Sequence, residues 1–264
     1  MQVSPFGVAK AAFVHYNRSM QYEKLAQLYD LFMAGVDYDA WAAYVAGFLP
    51  ASAFIVECAC GTGEVSLRLA KMGFNVTAAD ISQDMLIKAA EKQRKYGLSA
   101  ASLRFVQMDM RGIAAHKKAD AVVACCDGVN YLTSLADVER FFSSAYAVLK
   151  SGGRLLFDVS SRYKLENVLG SNAFCDNGEE AAYLWQNSYD PESKLIGMDL
   201  SFFKRTDSGL YERFDESHIQ RAHSVRELCN RLEKTGFAYS VYAFGGTEPP
   251  DETCERIQFV AEKP

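Results

Sequence analysis

The residues best placed by type and spacing to do chemistry lie in AFIVECACGTGEVSLRLA, residues 53–70. Glu57 stands near the end of an apolar run, Gly61 and Gly63 flank Thr62, and a helical pattern follows. Glycines at a strand-to-helix turn supply positive φ and let backbone N–H groups approach a ligand. A second acid, Asp80, closes the next apolar run, FNVTAAD, about 20 residues on, where nucleoside-binding α/β folds hold a ribose diol with a carboxylate. Two glycines alone also fit a tight turn with no ligand. The turn's position between strand and helix, with Asp80 beyond, favours a site.

The ligand is narrowed by what the turn lacks. A dinucleotide turn reads G-x-G-x-x-G, with pyrophosphate on the helix N-terminus. Here Gly63 is followed by Glu64 and then Ser66, not a third glycine. Glu64 also puts negative charge where a phosphate would sit. No G-x-x-x-x-G-K-[ST] occurs. A nucleoside without phosphate fits better, and an NAD-dependent oxidoreductase is disfavoured.

The elements that must position these residues alternate along the chain. FIVEC, FNVTAAD, LRFVQMD, ADAVVACCD and RLLFDV read as strands, and helical patterns separate most of them. Ser82 is the N-cap of the helix from Gln83, which Gly97 ends, and LADVERFFSSAYAVLKSGG reads as a helix reaching the glycines. Strands alternating with helices imply a parallel sheet. After Asp158 the rhythm changes to AYLWQNSYD, KLIGMDLSFFKR and LYERFDESHIQRAH, a small antiparallel element with PESK and DSG as turns. SVRELCNRLEKTG is a helix, and FAYSVYAFGG and ERIQFVAEK end the chain as strands. Upstream, Leu25, Leu28, Leu31 and Phe32 form one helical stripe and Trp41, Tyr44, Val45 and Phe48 another, with a break at Gly35 and Asp37.

Bulk composition agrees. The chain has 264 residues, 49% hydrophobic and 23% charged, and a net charge of −5. That suits one large domain, or one domain with an inserted subdomain, and the scattered Lys and Arg disfavour a nucleic-acid enzyme without excluding it. No run reaches the roughly 20 apolar residues of a membrane span, and the N-terminus does not read as a secretory signal. The 7 cysteines read as reduced thiols of a cytoplasmic protein, and the C-x-C of Cys58 and Cys60 lacks the partners of a zinc site, so no metal is expected.

ECACGTG, the Ala79-Asp80 strand end, Gln107-Met108-Asp109-Met110 and LKSGGRLLFDV resemble the class I S-adenosylmethionine-dependent methyltransferases. More narrowly, YEKLAQLYDLFMAGVDYDAWAAYV, CCDGVNYL, DVSSRYKLENVLG and GLYERFDESH resemble the YqeM-like bacterial group. The resemblance implies a Rossmann-like, mostly parallel seven-stranded sheet with a C-terminal antiparallel hairpin. Its domain reading is an N-terminal helical lid (1–50), a cofactor domain (51–159 and 224–264) and a cap (160–223). The cofactor implied is S-adenosylmethionine, with S-adenosylhomocysteine as product.

Residue roles follow from that resemblance. Asp80 takes the ribose hydroxyls, while Gly61 and Gly63 admit the methionine part and Glu57 helps hold its ammonium. Ile81 and Met85 line the adenine, and Asp109 with the Met110 backbone meets its amino group. Ala59 stands where the family has glycine, and Cys126 offers its backbone near the sulfonium. Asp127, Asn130 and Tyr131 face the acceptor, and Tyr22, Tyr29, Tyr38 and Trp41 form a lid. Tyr183, Trp185, Tyr211, Arg213, Phe214 and His218 of the cap shape an acceptor pocket, and Asp127 or His218 takes a proton if the acceptor is a hydroxyl. The rival for most of these residues is ordinary packing or turn chemistry. The leading expectation is a small-molecule methyltransferase, monomer or homodimer. A tRNA or protein methyltransferase, or a non-catalytic cofactor-binding protein, are the alternatives.

Overall fold

The computed structural model describes Ala26 and residues 28–264; the expectations on Tyr22 and Leu25 lie outside them. The first elements are α1 (Tyr29–Phe32) and α2 (Tyr38–Ala46). The expected break falls between them: the Asp37 carboxylate caps α2 by accepting the Ala40 N–H at 2.9 Å. The alternating region follows as β1 (Phe54–Cys58), α3 (Glu64–Lys71), β2 (Asn75–Asp80), α4 (Gln83–Lys95), β3 (Leu103–Gln107), β4 (Ala119–Ala124), α5 (Leu135–Val148) and β5 (Leu149–Ser160). The cap holds β6 (Ala173–Asn177), β7 (Ala181–Asp190), β8 (Leu195–Arg205) and β9 (Tyr211–Arg221), and α6 (Val225–Thr235), β10 (Ala238–Ala243) and β11 (Arg256–Glu262) close the chain.

Seven strands form the main sheet in the order β10-β11-β5-β4-β1-β2-β3. β1 to β5 run parallel, while β11 pairs antiparallel with β5 and with β10. Helices cover both faces, so β1 is buried at all five positions, which is why FIVEC shows no alternation. One core lies between the sheet and α5 and α6, around Phe141, Phe142, Phe157 and Phe259. The other lies against α2, α3 and α4, around Trp41, Leu67, Leu69 and Leu86. β1 sits between β2 and β4, so the order of strand addition reverses beside it. A crevice at such a switch point, outside the carboxyl ends of the strands, is where α/β sheets bind ligands.

The cap is a separate antiparallel sheet, β6-β7-β8-β9. It touches the N-terminal segment through Leu28, Tyr29 and Phe32, which pack on Ala181, Phe202 and Phe214. The structure departs from the sequence expectation in three places. α5 ends at Val148 and the chain enters β5 at once, before Gly152 and Gly153. A π-helical turn over Lys164–Leu169 and the strand β6 were not expected. β6 is an edge strand with four of five residues exposed, so burial imposes no alternation on AFCDN. Among the described residues, no helix is long and apolar enough to cross a membrane.

Candidate active site

The glycine turn is built from local geometry. β1 ends in register with β2, Cys58 beside Ala79, which brings the turn at Gly61 next to Asp80. Gly61 and Gly63 have φ of +54° and +80°. A Cβ at Gly63 would stand 2.8 Å from the Phe105 ring, so glycine there serves packing. A Cβ at Gly61 would meet no atom within 4 Å, and Gly61 lines a cavity at the carboxyl ends of β1, β2 and β4. Ala59, Cys126 and Asp127 also hold φ between +52° and +57° although none is glycine. Residues held in this region cost of order 1 kcal/mol or more, and they cluster where a site over-determines them.

Asp80 joins the turn to its neighbour strand. Its carboxylate accepts the Gly61 N–H and the Ser82 N–H, each at 2.8 Å. Burial raises its pKa against those hydrogen bonds. Glu57 is 2% exposed and accepts from the Ser66 hydroxyl. Desolvation pushes its carboxyl up to about 7, with Ser66 opposing and Asp80 adding to the rise. Glu64 lines the same cavity; burial works against its charge, but Lys92 and Arg68 hold its pKa below the ordinary value. The start of α3 thus carries negative charge, which does not suit a phosphate.

The first cavity gathers the expected cofactor residues: Glu57, Ala59, Gly61, Asp80, Ile81, Met85, Asp109, Met110 and Cys126 all line it. Gly63 does not line it. Asp109 is held by Arg111, whose Nε lies 2.9 Å from both carboxylate oxygens. Arg111, a further lining residue, was not expected. Tyr29 and Tyr38 roof the cavity from the N-terminal helices. These helices are tied down by charge. Asp30 accepts from the Thr62 hydroxyl at 2.6 Å and pairs with Lys92 at 2.8 Å, and Arg68 pairs with Asp39 at 2.8 Å.

A second cavity of about 480 Å³ adjoins the first, and Tyr29, Cys126 and Tyr131 line both. Its size lies within the roughly 300–1,000 Å³ of small-molecule pockets. Trp185, His218, Tyr183 and Phe202 of the second sheet line it, with Phe32 from α1, Trp41 from α2 and Phe244 from the loop between β10 and β11. On its floor, Asp127 accepts from Arg256 Nη2 at 2.8 Å and from Gln220 Nε2 at 3.0 Å. The other nitrogen of Arg256 donates to Asp158, which is fully buried. The guanidinium also lies over the Trp41 ring, 5.2 Å from its centroid. His218 is 4% exposed, with Nε2 3.5 Å from the Glu216 carboxylate and its ring 6.0 Å from that of Tyr131.

Several acceptor-side expectations fall elsewhere: Tyr211, 50% exposed, and Phe214, stacked on Phe202, line neither cavity. Asn130 is fully buried and lines neither cavity. Its amide bonds the Ser160 N–H and the carbonyls of Ser160 and Arg221, each at 3.0 Å, which braces β5 to β9. Arg213 also lines neither cavity; it stands on the exposed face of the cap, paired with Asp215 at 2.9 Å. Tyr38 lines the first cavity but not the second. The Asp127–Arg256–Asp158 cluster was not expected as a unit. Its only sequence trace was two acids at the ends of β4 and β5, and the arginine comes from the last strand.

Among the described residues, no three His, Cys, Asp or Glu side chains gather to hold a metal ion. The fold and the paired cavities define a class I Rossmann-like methyltransferase. The family model described as a methyltransferase domain matches residues 55–153. The chain is 40% identical, over 92% of its length and 98% of the relative's, to a protein of Bacillus subtilis (strain 168) named "Putative methyltransferase YqeM". A crystal structure of an S-adenosylmethionine-dependent methyltransferase from Clostridium acetobutylicum ATCC 824 superposes with a TM-score of 0.81. It is 31% identical and covers 91% of this chain and 98% of its own. CalS10, an amino pentose methyltransferase from Micromonospora echinaspora, shares the fold at a TM-score of 0.70 and 19% identity over 95% of this chain and 100% of its own. The chain belongs to the family of S-adenosylmethionine-dependent methyltransferases that includes the YqeM group.

Proposed function

We propose that this chain moves the methyl group of S-adenosylmethionine to a small molecule seated in the second cavity. The observation that carries this reading is the junction: two cavities, one lined by the glycine turn and Asp80, share Tyr29, Cys126 and Tyr131. A methyl group pointing from the first into the second is then delivered in line to an acceptor, the geometry a displacement needs.

The residues present fit this cofactor. Gly61 lines the cavity, and a Cβ there would meet no protein atom within 4 Å. The Asp80 carboxylate, which accepts the Gly61 and Ser82 N–H groups, offers its remaining lone pairs to a ribose hydroxyl. Glu57, with its pKa near 7, turns anionic when a cation settles beside it. Asp109 and Met110 lie at the adenine side with Ile81 and Met85. The bound sulfonium supplies an activated methyl carbon and leaves as a neutral thioether. Tyr29 and Tyr38 close over it and keep water out. Asp127, tied to Arg256 and Gln220, shapes the acceptor floor rather than taking a proton. His218 is the better proton acceptor for the finished product, since it lines the cavity beside Glu216.

In this reading the 1–50 segment is the lid and the 160–223 segment the cap over a core of 51–159 and 224–264. The test is release of S-adenosylhomocysteine by the purified chain across fractions of a bacterial extract, with and without RNase and protease. Activity in the fraction below 1 kDa that survives both treatments is the expected result. Activity confined to RNA or protein fractions refutes it.

A further inference from the structure

We infer that the acceptor carries a carboxylate, which Lys164 and the indole N–H of Trp185 hold in the second cavity while the methyl group goes to another atom of the same molecule; the inference rests on the methyl-transfer reading above. The Asp, Glu, Lys and Arg side chains that line this cavity are Asp127, Lys164 and Arg256. Two cations against one carboxylate leave a net charge of +1. Asp158 and Glu255, the acids that pair with these cations from behind, lie outside the lining. A monoanion seated here meets the opposite charge, and a cation meets its own.

The two cations differ in what they have left to give. Arg256 spends its guanidinium on the floor, where Nη2 donates to Asp127 at 2.8 Å and the other terminal nitrogen to the fully buried Asp158. Lys164 is committed far less. Its Nζ stands 3.8 Å from the Glu255 carboxylate, beyond hydrogen-bond reach, and the Glu255 side chain is 55% exposed. A pair so open to water contributes about 0–1 kcal/mol, so an incoming carboxylate displaces it at small cost.

Trp185 adds a second donor. Its indole nitrogen is buried and has no acceptor among the described residues, a state that costs about 1–3 kcal/mol until an acceptor arrives. The ring packs with Leu165 and Leu169, which belong to the π-helical turn that Lys164 opens. Ammonium and indole therefore belong to one wall of the cavity. Neither Lys164 nor Trp185 lines the first cavity, whereas the methyl group crosses at Tyr29, Cys126 and Tyr131. The carboxylate is thus an anchor at which no bond forms or breaks, and it turns the other end of the acceptor toward the junction. The rings of Phe32, Phe202 and Phe244 leave an apolar space between, so the acceptor class is an acid with an apolar body.

The test uses the full chain saturated with S-adenosylhomocysteine and three probes of similar shape: 3-phenylpropionate, 3-phenylpropanamide and 3-phenylpropylamine. Calorimetric titration at pH 7.5, where the acid is ionised, is expected to give at least tenfold tighter binding for the carboxylate than for the amide, and the weakest binding for the amine. Lys164→Met is expected to bring the carboxylate within threefold of the amide while the amide's own affinity stays within twofold, and Lys164→Arg to keep most of the preference. Trp185→Phe, which keeps a ring and removes the N–H, is expected to weaken the carboxylate at least threefold. These variants should leave S-adenosylhomocysteine affinity unchanged, because both residues line only the second cavity. An amide or amine that binds as well as the carboxylate, a preference that survives Lys164→Met, a carboxylate affinity unmoved by Trp185→Phe, or no binding of any probe overturns the assignment. S-adenosylhomocysteine binding, read in the same experiment, reports separately on the methyl-transfer reading, which falls if that binding is missing.

Discussion

Asp80→Asn separates a cofactor ligand from a structural cap, because the two roles load different measurements. The carboxylate accepts two backbone N–H groups at 2.8 Å and is 8% exposed. An amide keeps one acceptor oxygen, so its NH2 must face the N–H of either Gly61 or Ser82, donor against donor. Losing one hydrogen bond to a charged group costs about 1.5–3 kcal/mol, so unfolding in urea should show a loss of about 2 kcal/mol without ligand. A domain stable by about 5–15 kcal/mol remains folded. If the same carboxylate also takes the ribose hydroxyls, titration with S-adenosylhomocysteine should show at least a tenfold weaker Kd, about 1.4 kcal/mol. A stability loss with Kd within twofold of wild type, under about 0.4 kcal/mol, would mean that Asp80 only staples the turn to α4, and the ribose assignment would be wrong.

The two turn glycines should respond in opposite ways. Gly63→Ala drives a methyl to 2.8 Å from Phe105 at a φ of +80° and should cost about 2–4 kcal/mol in thermal unfolding, overpacking plus left-handed strain. Gly61→Ala meets no atom within 4 Å and should cost about 1 kcal/mol, with a larger relative loss in cofactor affinity by calorimetry. For pH, Glu57 moves from 4.5 unfolded to about 7 folded. Within that window the native state binds the extra proton, so its contribution to stability is full below pH 4.5 and falls as pH rises to 7. Glu57→Gln should remove this slope and make the ligand-free protein about 3 kcal/mol more stable than wild type at pH 8, with little difference at pH 4.5, as read from urea midpoints. Arg256→Met leaves Asp127 and Asp158 facing each other without a cation and should cost about 3–5 kcal/mol. Arg213→Ala, from an ion pair whose side chains are 59% and 57% exposed, should stay within about 1 kcal/mol of wild type by the same urea assay.

Much of the first cavity's lining was legible because it is local. Glu57, Gly61, Asp80, Ile81 and Met85 fall within one βαβα run, and strand and helix geometry carry them to a common edge once the sheet is parallel. The lining of the second cavity was less legible. Trp185 and His218 do reach the cavity, yet Arg213, two residues after Tyr211 on β9, points to solvent. Strand alternation says that two faces differ, not which of them will meet the lid. Asn130 read as a turn residue open to substrate, but it is sealed inside by hydrogen bonds to segments 30 and 91 residues away.

The sequence by itself determined the alternation of strands and helices, the N-cap at Ser82, the helix break at Gly35 and Asp37, and the bare turn beside an acid, because each depends on a neighbour a few residues away. The tertiary structure alone decided the rest. It set the proton affinity of Glu57, which depends on how completely water is excluded. It brought Arg256 to Asp127 across 129 residues of chain, and it closed an aromatic cavity between the N-terminal helices and the β6–β9 sheet, which lie far apart in the sequence. Desolvation and ion pairing act through space, and no spacing along the chain encodes which distant charge or ring will arrive.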